Sequence, residues 1–373
     1  MPRVISRKVE YDYESLKPKF FEIMDAIGGS LITANNRVLI KPNLLAPASP
    51  DKAVVTHPLV VKAAVEYVLA KGAKPLVADS PAMGSFERVL KESGLKSALE
   101  GLDVELKPFR DSMSVDVGEP FHHIEISEDA MKADAIINLP KLKTHSQMLL
   151  TLGVKNLFGC IVGLRKPEWH LRAGVDRELF ALMLTKICRA IKPTFTVLDG
   201  ILAMEGPGPG KGGIPRHIGV LMGSDNPVAV DIAACRMLGI DPDRMLTNQA
   251  AANLGMVNGP VEVEGDTVQV PDFQFPEIIT LFFGPQFTHG LMRKHLVQRP
   301  VPVSTLCKTC GECWQYCPVK AISHDSGKLT FDYDKCIRCY CCLEVCPHGA
   351  LRAEVPFFGK IFNWIVERGW IFG

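Results

Sequence analysis

Eight of the twelve cysteines in this 373-residue chain fall in two copies of one spacing. Each copy reads C-x-x-C-x-x-C-x-x-x-C-P; the first begins at Cys307 and the second at Cys336, and each cysteine of the second copy lies 29 residues after its counterpart. Three closely spaced thiolates can bind one four-iron cluster, while the fourth cysteine of such a run binds the other cluster. The repeat therefore predicts a small pseudo-symmetric unit that holds two [4Fe-4S] clusters and transfers electrons.

The same rule predicts which cysteines share a cluster. The expected ligands of the first cluster are Cys307, Cys310, Cys313 and Cys346. The expected ligands of the second cluster are Cys336, Cys339, Cys342 and Cys317. Zinc fits this spacing less well, because a zinc site needs four ligands for each ion and the third cysteine followed by Cys-Pro is typical of iron–sulfur proteins.

Disulfides fit the cysteines less well than metal clusters do. The first residues of the chain contain no apolar core and no small-residue cleavage site of the kind that directs export. We therefore expect the protein to be located in a reducing cytoplasm. Cys341 lies outside the repeat, and we expect it to be a buried packing residue.

The composition favours a globular protein with one large core and a small appendage. Hydrophobic residues make up 47% of the chain, and the formal net charge is +1. This balance gives no basic excess that would indicate nucleic acid as a partner. We expect no transmembrane span, because apolar stretches such as 278–287 are short and contain Gly284 and Pro285.

From about residue 36 to residue 255, short β-branched runs alternate with helical periodicity, which is typical of an α/β fold. The candidate strands are 37–41, 75–78, 104–107, 135–138, 195–198 and 217–222, and the candidate helices are 58–70 and 226–239. We therefore predict a mostly parallel sheet with helices on both faces. The cysteine repeat predicts an additional small α+β domain of the bacterial ferredoxin type.

These patterns divide the chain into four segments. We expect an α/β domain over 1–270, a proline-punctuated connector over 271–304, the two-cluster domain over 305–352 and an apolar aromatic tail over 353–373. A helix-like piece, 288–297, is expected to pack between the domains. We expect the tail to dock on its own chain; a partner protein or a membrane surface is the alternative.

Four polar motifs each follow a predicted strand. They are Lys41-Pro42-Asn43, Asp79-Ser80-Pro81, the run from Lys141 to His145, and Asp199-Gly200. Ligands of open parallel sheets bind outside the carboxyl ends of the strands, so we expect the four motifs to line one crevice. Its lysines would attract an anionic small molecule that carries carboxylates or phosphates.

The crevice is expected to contain both catalytic and binding residues. We predict that His145, whose usual pKa is near neutrality, transfers protons and acts with Lys143. The predicted binding residues are Lys41, Asn43, Asp79, Lys141, Lys155, Asn156, Asp199 and Glu205. Carboxylates including Asp231 could hold Mg²⁺ or could simply pair with the lysines. The glycine-rich loop 205–213 lacks the P-loop spacing and is expected to be a flexible lid.

These motifs resemble the domain of unknown function 362 family. The resemblance also includes Thr56-His57-Pro58, Asn138-Leu139-Pro140 and Gly153-Val154-Lys155-Asn156, and it covers about residues 36 to 255. Many members of that family carry a two-cluster ferredoxin module at the C-terminus, as the cysteines here indicate. The resemblance implies this pairing of domains, and it implies no particular reaction or substrate.

Our leading interpretation is an oxidoreductase that passes low-potential electrons from its clusters to an anionic substrate or cofactor in the crevice. An external ferredoxin or redox enzyme would be the electron donor or acceptor. Two alternatives stay open: an electron-transfer subunit that docks a partner enzyme through its tail, and a protein that handles a metal or cofactor during the assembly of another enzyme.

Overall fold

The structure is a computed structural model that describes residues 1–163, 165–173, 176–276, 295, 297–325 and 327–361. Its strands are β1 (Arg3–Lys8), β2 (Arg37–Pro42), β3 (Lys74–Asp79), β4 (Glu105–Pro108), β5 (Ser112–Gly118), β6 (His122–Ser127), β7 (Ala135–Leu139), β8 (Lys141–His145), β9 (Leu149–Thr151), β10 (Phe195–Glu205), β11 (Ile214–Ser224), β12 (Glu262–Gly265), β13 (Arg299–Pro302), β14 (Ile322–Asp325), β15 (Lys328–Phe331) and β16 (Leu351–Glu354). Its helices are α1 (Tyr13–Ala26), α2 (Pro58–Ala70), α3 (Phe86–Glu92), α4 (Leu95–Ala98), α5 (Glu128–Met131), α6 (Gly153–Asn156), α7 (Arg165–Ala173), α8 (Arg177–Ile191), α9 (Pro227–Met237), α10 (Leu246–Asn253), α11 (Glu312–Gln315) and α12 (Cys341–Val345). Short 3₁₀ helices span Gly29–Leu31, Pro50–Lys52, Leu157–Cys160 and Pro242–Arg244.

The large sheet has the order β12-β1-β11-β10-β7-β2-β3-β4, and β8 pairs with β10 and β9 outside this path. The pairs from β10 through β7, β2 and β3 to β4 are parallel, whereas β11 is antiparallel to both of its neighbours. The predicted mostly parallel α/β fold is confirmed. Each of the six predicted strands coincides with a strand of this sheet, and α2 has the predicted bounds.

Helices cover both faces of the sheet because the central strands carry apolar side chains on both faces. Val38 and Ile40 of β2 pack into the core beneath α1 and α2. Leu39, between them, belongs to a separate core on the opposite face, which includes Phe180 and Leu184 of α8. A parallel strand buried on both faces is expected to be apolar along its centre, as β2 is from Val38 to Ile40.

Two of the predicted strand-end motifs lie inside strands. The run from Lys141 to His145 does not follow a strand as a loop; it forms β8, which begins after Pro140 interrupts the sequence between β7 and β8. Asp199 and Gly200 lie within β10, because that strand continues to Glu205 in its pairing with β11. The two motifs still lie next to each other, since Asp199 is opposite Lys141 across the β10–β8 pair.

The cysteine-rich part consists of two small antiparallel sheets, β13–β16 and β14–β15, and the short helices α11 and α12. This arrangement is the α+β type that the repeat predicts. The predicted helix-like piece 288–297 lies almost entirely outside the described residues, as do residues 362–373 of the predicted tail. Within the described part of the tail, Phe357 and Phe358 are exposed. Of the helices in the described ranges, none is long and apolar enough to cross a membrane.

Candidate functional site

A cavity of about 210 Å³ lies between the sheet and the cysteine-rich part; we call it the lysine cavity. Seven of the predicted site residues line it: Lys41, Asn43, Asp79, Lys143, His145, Lys155 and Asn156. The cysteine-rich part contributes Tyr316, Cys341, Glu344 and Val345 to the same lining. Most of the strand-end motifs therefore converge as expected, and α12 supplies a wall that the sequence did not predict.

One side of the lysine cavity is formed by an ion pair between Lys41 and Asp79. The Nζ of Lys41 lies 2.9 Å from Oδ1 of Asp79 and donates a hydrogen bond to the carbonyl of Pro42. The Asp79 carboxylate also accepts hydrogen bonds from its own neighbour, Ser80 N, and from Leu44 N, each at 2.8 Å. A Cβ at Gly159 would lie only 2.4 Å from Asp79 Oδ1 and 2.5 Å from Lys41 Nζ, so this close approach requires glycine.

Lys143 faces the cavity without a carboxylate partner. Its Nζ donates to Oδ1 of Asn43 at 2.8 Å and to the carbonyl of Val54 at 2.7 Å. Asn43 in turn donates to Asn156 at 2.9 Å, which fixes the amide that holds the lysine. Burial lowers the pKa of Lys143 to about 7, so this amine can gain or lose a proton near neutral pH.

Two further lysines lack carboxylate partners. Lys166 of α7 donates to the carbonyl of Ser80, and burial lowers its pKa to about 8. Lys155 of α6 lies 5.8 Å from the centre of the Phe158 ring and has no hydrogen-bond acceptor among the described residues. Burial lowers the pKa of Lys155 as well. Both ammonium groups line the cavity and can bind an anion there.

His145 connects the sheet to α12. Its Nδ1 accepts hydrogen bonds from the backbone N–H groups of Gln147 at 3.1 Å and Met148 at 3.2 Å, so the ring proton is on Nε2. That atom lies 2.8 Å from Oε1 of Glu344. Burial lowers the pKa of His145 to about 4, which leaves the ring neutral at pH 7. Burial alone would raise the pKa of Glu344, but His145 and Lys155 hold it well below its usual value.

Lys141 and Asp199, which the sequence places in the same crevice, form a separate group that we call the Lys141–Asp199 cluster. Lys141 Nζ lies 2.9 Å from Oδ2 of Asp199 and donates to the hydroxyl of Tyr11 at 2.8 Å. The Tyr11 hydroxyl donates to Asp199 Oδ1 at 2.7 Å, and the backbone N–H of His57 donates to Oδ2 at 2.9 Å. Neither charged group lines the lysine cavity. His57 caps α2, and its Nδ1 accepts from Leu59 N.

The predicted carboxylates lie in four different environments. Glu205 accepts a hydrogen bond from Gln274 N at 3.1 Å and lies 3.8 Å from Arg216, away from the cavity. Asp231 accepts from Gly153 N at 2.7 Å and from Val154 N at 3.2 Å, and burial raises its pKa to about 7. Within the described ranges, no three His, Cys, Asp or Glu side chains could hold a single metal ion. The carboxylates pair with lysines and backbone amides, which was the alternative to Mg²⁺.

The glycine-rich loop 205–213 is packed between β8 and α12 and is not free above the cavity. Gly208 N donates to Oγ1 of Thr144 at 3.3 Å, and Pro209 lines the cavity. A Cβ at Gly210 would lie 3.0 Å from the carbonyl oxygens of Leu343 and Glu344. In this structure the loop lies against α12 at the edge of the cavity, and its role as a flexible lid stays a prediction.

Sequence reasoning missed five titratable residues of the cavity lining: Lys166, His170, Tyr316, Cys341 and Glu344. Lys166 and His170 lie on α7, so no strand-end position marked them. His170 packs between Phe158 and Phe180, and burial lowers its pKa to about 3. The one available signal was the position of Cys341 outside the cysteine repeat, which we interpreted as packing.

Two smaller cavities contain the cysteines of the repeat. The first, which we call the outer site, is lined by Cys307, Cys310, Cys313 and Cys346. The second, which we call the inner site, is lined by Cys317, Cys336, Cys339 and Cys342. These are the same two groups as the predicted ligand sets.

The arrangement of these cysteines fits four-iron clusters. Backbone N–H groups of Ala321 and Ala350 donate to the sulfurs of Cys317 at 3.3 Å and Cys346 at 3.2 Å, and such bonds stabilise thiolates. In neither site are three thiols placed for one shared ion, as zinc would need. In a four-iron cluster each thiolate binds its own iron, so a wider separation is suitable.

Comparisons with known proteins match the sheet-containing part and the cysteine-rich part of the chain separately. A protein-family model described as a domain of unknown function (DUF362) matches residues 38–236. A second family model, described as a 4Fe-4S dicluster domain, matches residues 306–350. A thylakoid-associated protein of Synechocystis sp. is 37% identical over 317 residues, which are 80% of this chain and 97% of that protein.

Shorter matches are confined to a small fraction of the chain. The PorD subunit of pyruvate synthase from Thermotoga maritima is 39% identical over 67 residues, 17% of this chain and 68% of that subunit. The electron transport protein HydN of Escherichia coli is 34% identical over 68 residues, 17% of this chain and 39% of HydN. With the dicluster match, these similarities support an iron–sulfur electron-transfer role.

Proposed function

This chain belongs to the DUF362 family and has an iron–sulfur electron-transfer role, and on that premise we propose that it is an oxidoreductase that passes low-potential electrons to an anionic substrate or cofactor in the lysine cavity. The observation that carries the proposal is a buried excess of positive charge beside the cysteine-rich part. Lys143, Lys155 and Lys166 line the cavity, and in the part of the chain that the structure describes none of them forms a close ion pair with a carboxylate.

The charges of the cavity indicate the ligand. Four lysines and two carboxylates line it, and Lys41 already neutralises Asp79. Buried ammonium groups are unfavourable unless an opposite charge compensates them. A bound carboxylate or phosphate would supply that charge and accept the hydrogen bonds that Lys155 does not make within the described structure. A cavity of about 210 Å³ suits a small molecule.

We assign proton transfer to Lys143 and His145. The pKa of Lys143, which burial lowers to about 7, lets its Nζ hold or release a proton at the cavity wall. His145 is neutral, and its Nε2 lies 2.8 Å from Oε1 of Glu344, so that carboxylate would be the group with which it exchanges a proton. When bound by the cysteines of the outer and inner sites, two [4Fe-4S] clusters supply one-electron transfer.

We also propose a division of roles along the chain. Residues 1–270 would bind the ligand, and residues 305–352 would exchange electrons with an external ferredoxin or redox enzyme. Residues 271–304 would connect the two, and residues 353–373 would provide a docking segment. One observation favours the alternative of an electron-transfer subunit that docks a larger enzyme: Phe357 and Phe358 are 71% and 57% exposed.

The proposal is tested by native mass spectrometry on anaerobically purified protein. The expected result is a small anionic mass in addition to the polypeptide and two four-iron clusters. If only clusters are bound and a second polypeptide co-purifies, the subunit alternative replaces the proposal.

A matched pair of variants tests the cavity itself. Lys155→Met removes a cavity ammonium, whereas Lys96→Met removes an exposed ammonium from α4. We expect Lys155→Met to weaken the binding of added succinate by about tenfold or more, since a charge-assisted hydrogen bond contributes about 1.5–3 kcal/mol. Lys96→Met should leave binding unchanged. Equal effects of the two variants in calorimetric titration would contradict binding in the cavity.

A further inference from the structure

The lysine cavity is adjacent to one of the two cysteine sites. Cys341 lines both the lysine cavity and the inner site. Its thiol is hydrogen-bonded to that of Cys339, one of the inner-site cysteines. The outer site shares none of its described lining residues with the lysine cavity.

The inner site is enclosed and attached to the sheet. Cys317, Cys339 and Cys342 are each at most 8% exposed. The hydroxyl of Tyr340, which also lines this site, donates to the carbonyl of Gln298 at 2.6 Å. The Gln298 amide donates to the carbonyl of Ser146 at 3.4 Å, immediately after His145. The inner site is therefore connected to the same β8 region that forms the lysine cavity.

The outer site is the more exposed of the two. Cys313 and Cys346 are as buried as most inner-site cysteines, but the edge of the outer site at Cys310 is open to solvent. Cys310 is exposed, and so are Lys308 and His348, which line the same site. Its described lining contains these two basic side chains and no carboxylate. A surface of this charge is complementary to an acidic protein face, and complementary charge speeds the encounter of two proteins.

From this asymmetry we infer that the two cysteine sites have different roles: the inner site exchanges electrons with the ligand of the lysine cavity, and the outer site exchanges them with a ferredoxin-type protein that has an acidic docking face. The inference rests on the proposed function. Each transfer removes one electron from the reduced ferredoxin and adds one to the cavity ligand, and Cys341 is a positioning residue in the wall between that ligand and the inner site.

The inference can be tested through cluster potentials, because a cation stabilises the reduced form of a nearby cluster. Lys155→Met and Lys308→Met each remove one ammonium group, the first beside Cys341 and the second at the outer site. Redox titrations of the full chain, followed by electron paramagnetic resonance without added ligand, give the potential of each cluster. Cys310→Ser identifies the outer-site signal, and Cys336→Ser identifies the inner-site signal if the first variant does not fold.

We expect Lys155→Met to shift the inner-site potential to a more negative value and to leave the outer-site potential in place. Lys308→Met should do the reverse, and it should also slow reduction by reduced ferredoxin and weaken the dependence of that rate on salt. A shift of the outer-site signal in Lys155→Met, or equal shifts of both signals, would overturn the assignment. These potentials need no cavity ligand, so a failure of anion binding would reject the proposed function and leave the inner and outer sites distinguishable.

Discussion

The Lys141–Asp199 cluster and the lysine cavity each contain one lysine of the same β8 motif. The lysine of the cluster is paired with a carboxylate, whereas the lysine of the cavity is hydrogen-bonded to neutral oxygen atoms. Lys141 and Lys143 are both fully buried on β8. The Nζ of Lys141 donates to the Asp199 carboxylate and to the Tyr11 hydroxyl, and the backbone N–H of His57 donates to the same carboxylate. Lys143 donates its hydrogen bonds to neutral oxygen atoms, and two other lysines of the same cavity form no close ion pair among the described residues. A buried lysine with a complete set of partners stabilises the fold, whereas one without a counter-charge indicates a ligand.

The irregular pairing of β8 with β10 separates the two lysines. Lys141 of β8 lies opposite Asp199 of β10. Lys143 is two residues after Lys141, but its partner on β10, Met204, is five residues after Asp199. The register shift leaves the Asp199 carboxylate with Lys141 alone. Lys143 therefore extends to the amide oxygen of Asn43 at the end of β2.

The largest expected effect tests whether the Lys141–Asp199 cluster is structural. Lys141→Met should lower the free energy of unfolding by about 3–5 kcal/mol, because it leaves Asp199 charged, buried and unpaired. Lys155→Met should lower the free energy of unfolding much less, since Lys155 lowers the pKa of Glu344 but forms no close ion pair with a carboxylate among the described residues. Chemical denaturation of both variants measures the difference. The comparison between the two regions fails if both variants lose the same stability.

A smaller effect is expected from the loop that contacts α12. A Cβ in Gly210→Ala would press on the carbonyls of Leu343 and Glu344, and such overpacking costs about 1–3 kcal/mol. Gly212→Ala is the control, because its closest neighbour would be Pro207 O at 3.3 Å.

Hydrogen exchange should show the region in which Gly210→Ala acts. We expect faster exchange in α12 and weaker succinate binding, with no change at β1 and β10 around Asp199. Uniformly faster exchange in both regions would show that the cavity and the Lys141–Asp199 cluster are not independent.

The smallest effect concerns pH. Succinate affinity should fall about fivefold between pH 7 and pH 8, because Lys143, with a pKa of about 7, is half cationic at pH 7 and mostly neutral at pH 8. Lys166, with a pKa of about 8, should extend the decrease to higher pH. In Lys143→Met the first step should disappear and the second should stay. A pH-independent affinity from pH 6 to pH 9 would show that neither lysine contacts the anion.

Sequence reasoning succeeded where the signal is local. Short runs of apolar residues predicted strands such as β2 and β3, and Pro58 and the capping His57 marked the start of α2. The spacing of the cysteines predicted the same two groups that line the outer and inner sites. In each case the information lies within a few tens of consecutive residues.

The unpredicted features depend on contacts between distant segments. Lys141 could not be separated from Lys143 without the register between β8 and β10. Glu344 reaches His145 only because the cysteine-rich part packs on the sheet, and the two residues are far apart in sequence. Lys166 lies on a helix whose position is set by the core beneath it, and no motif marks it.

The α12 wall of the lysine cavity is synthesised later than the lysines of its lining. A chain is synthesised from its N-terminus, so Lys41, Lys143 and Lys155 leave the ribosome long before Cys341 and Glu344. The cavity is therefore incomplete in a nascent chain until the last part has folded onto the sheet. Because α12 carries Glu344 of the cavity as well as Cys341 and Cys342 of the inner site, the folding of this helix completes both sites together.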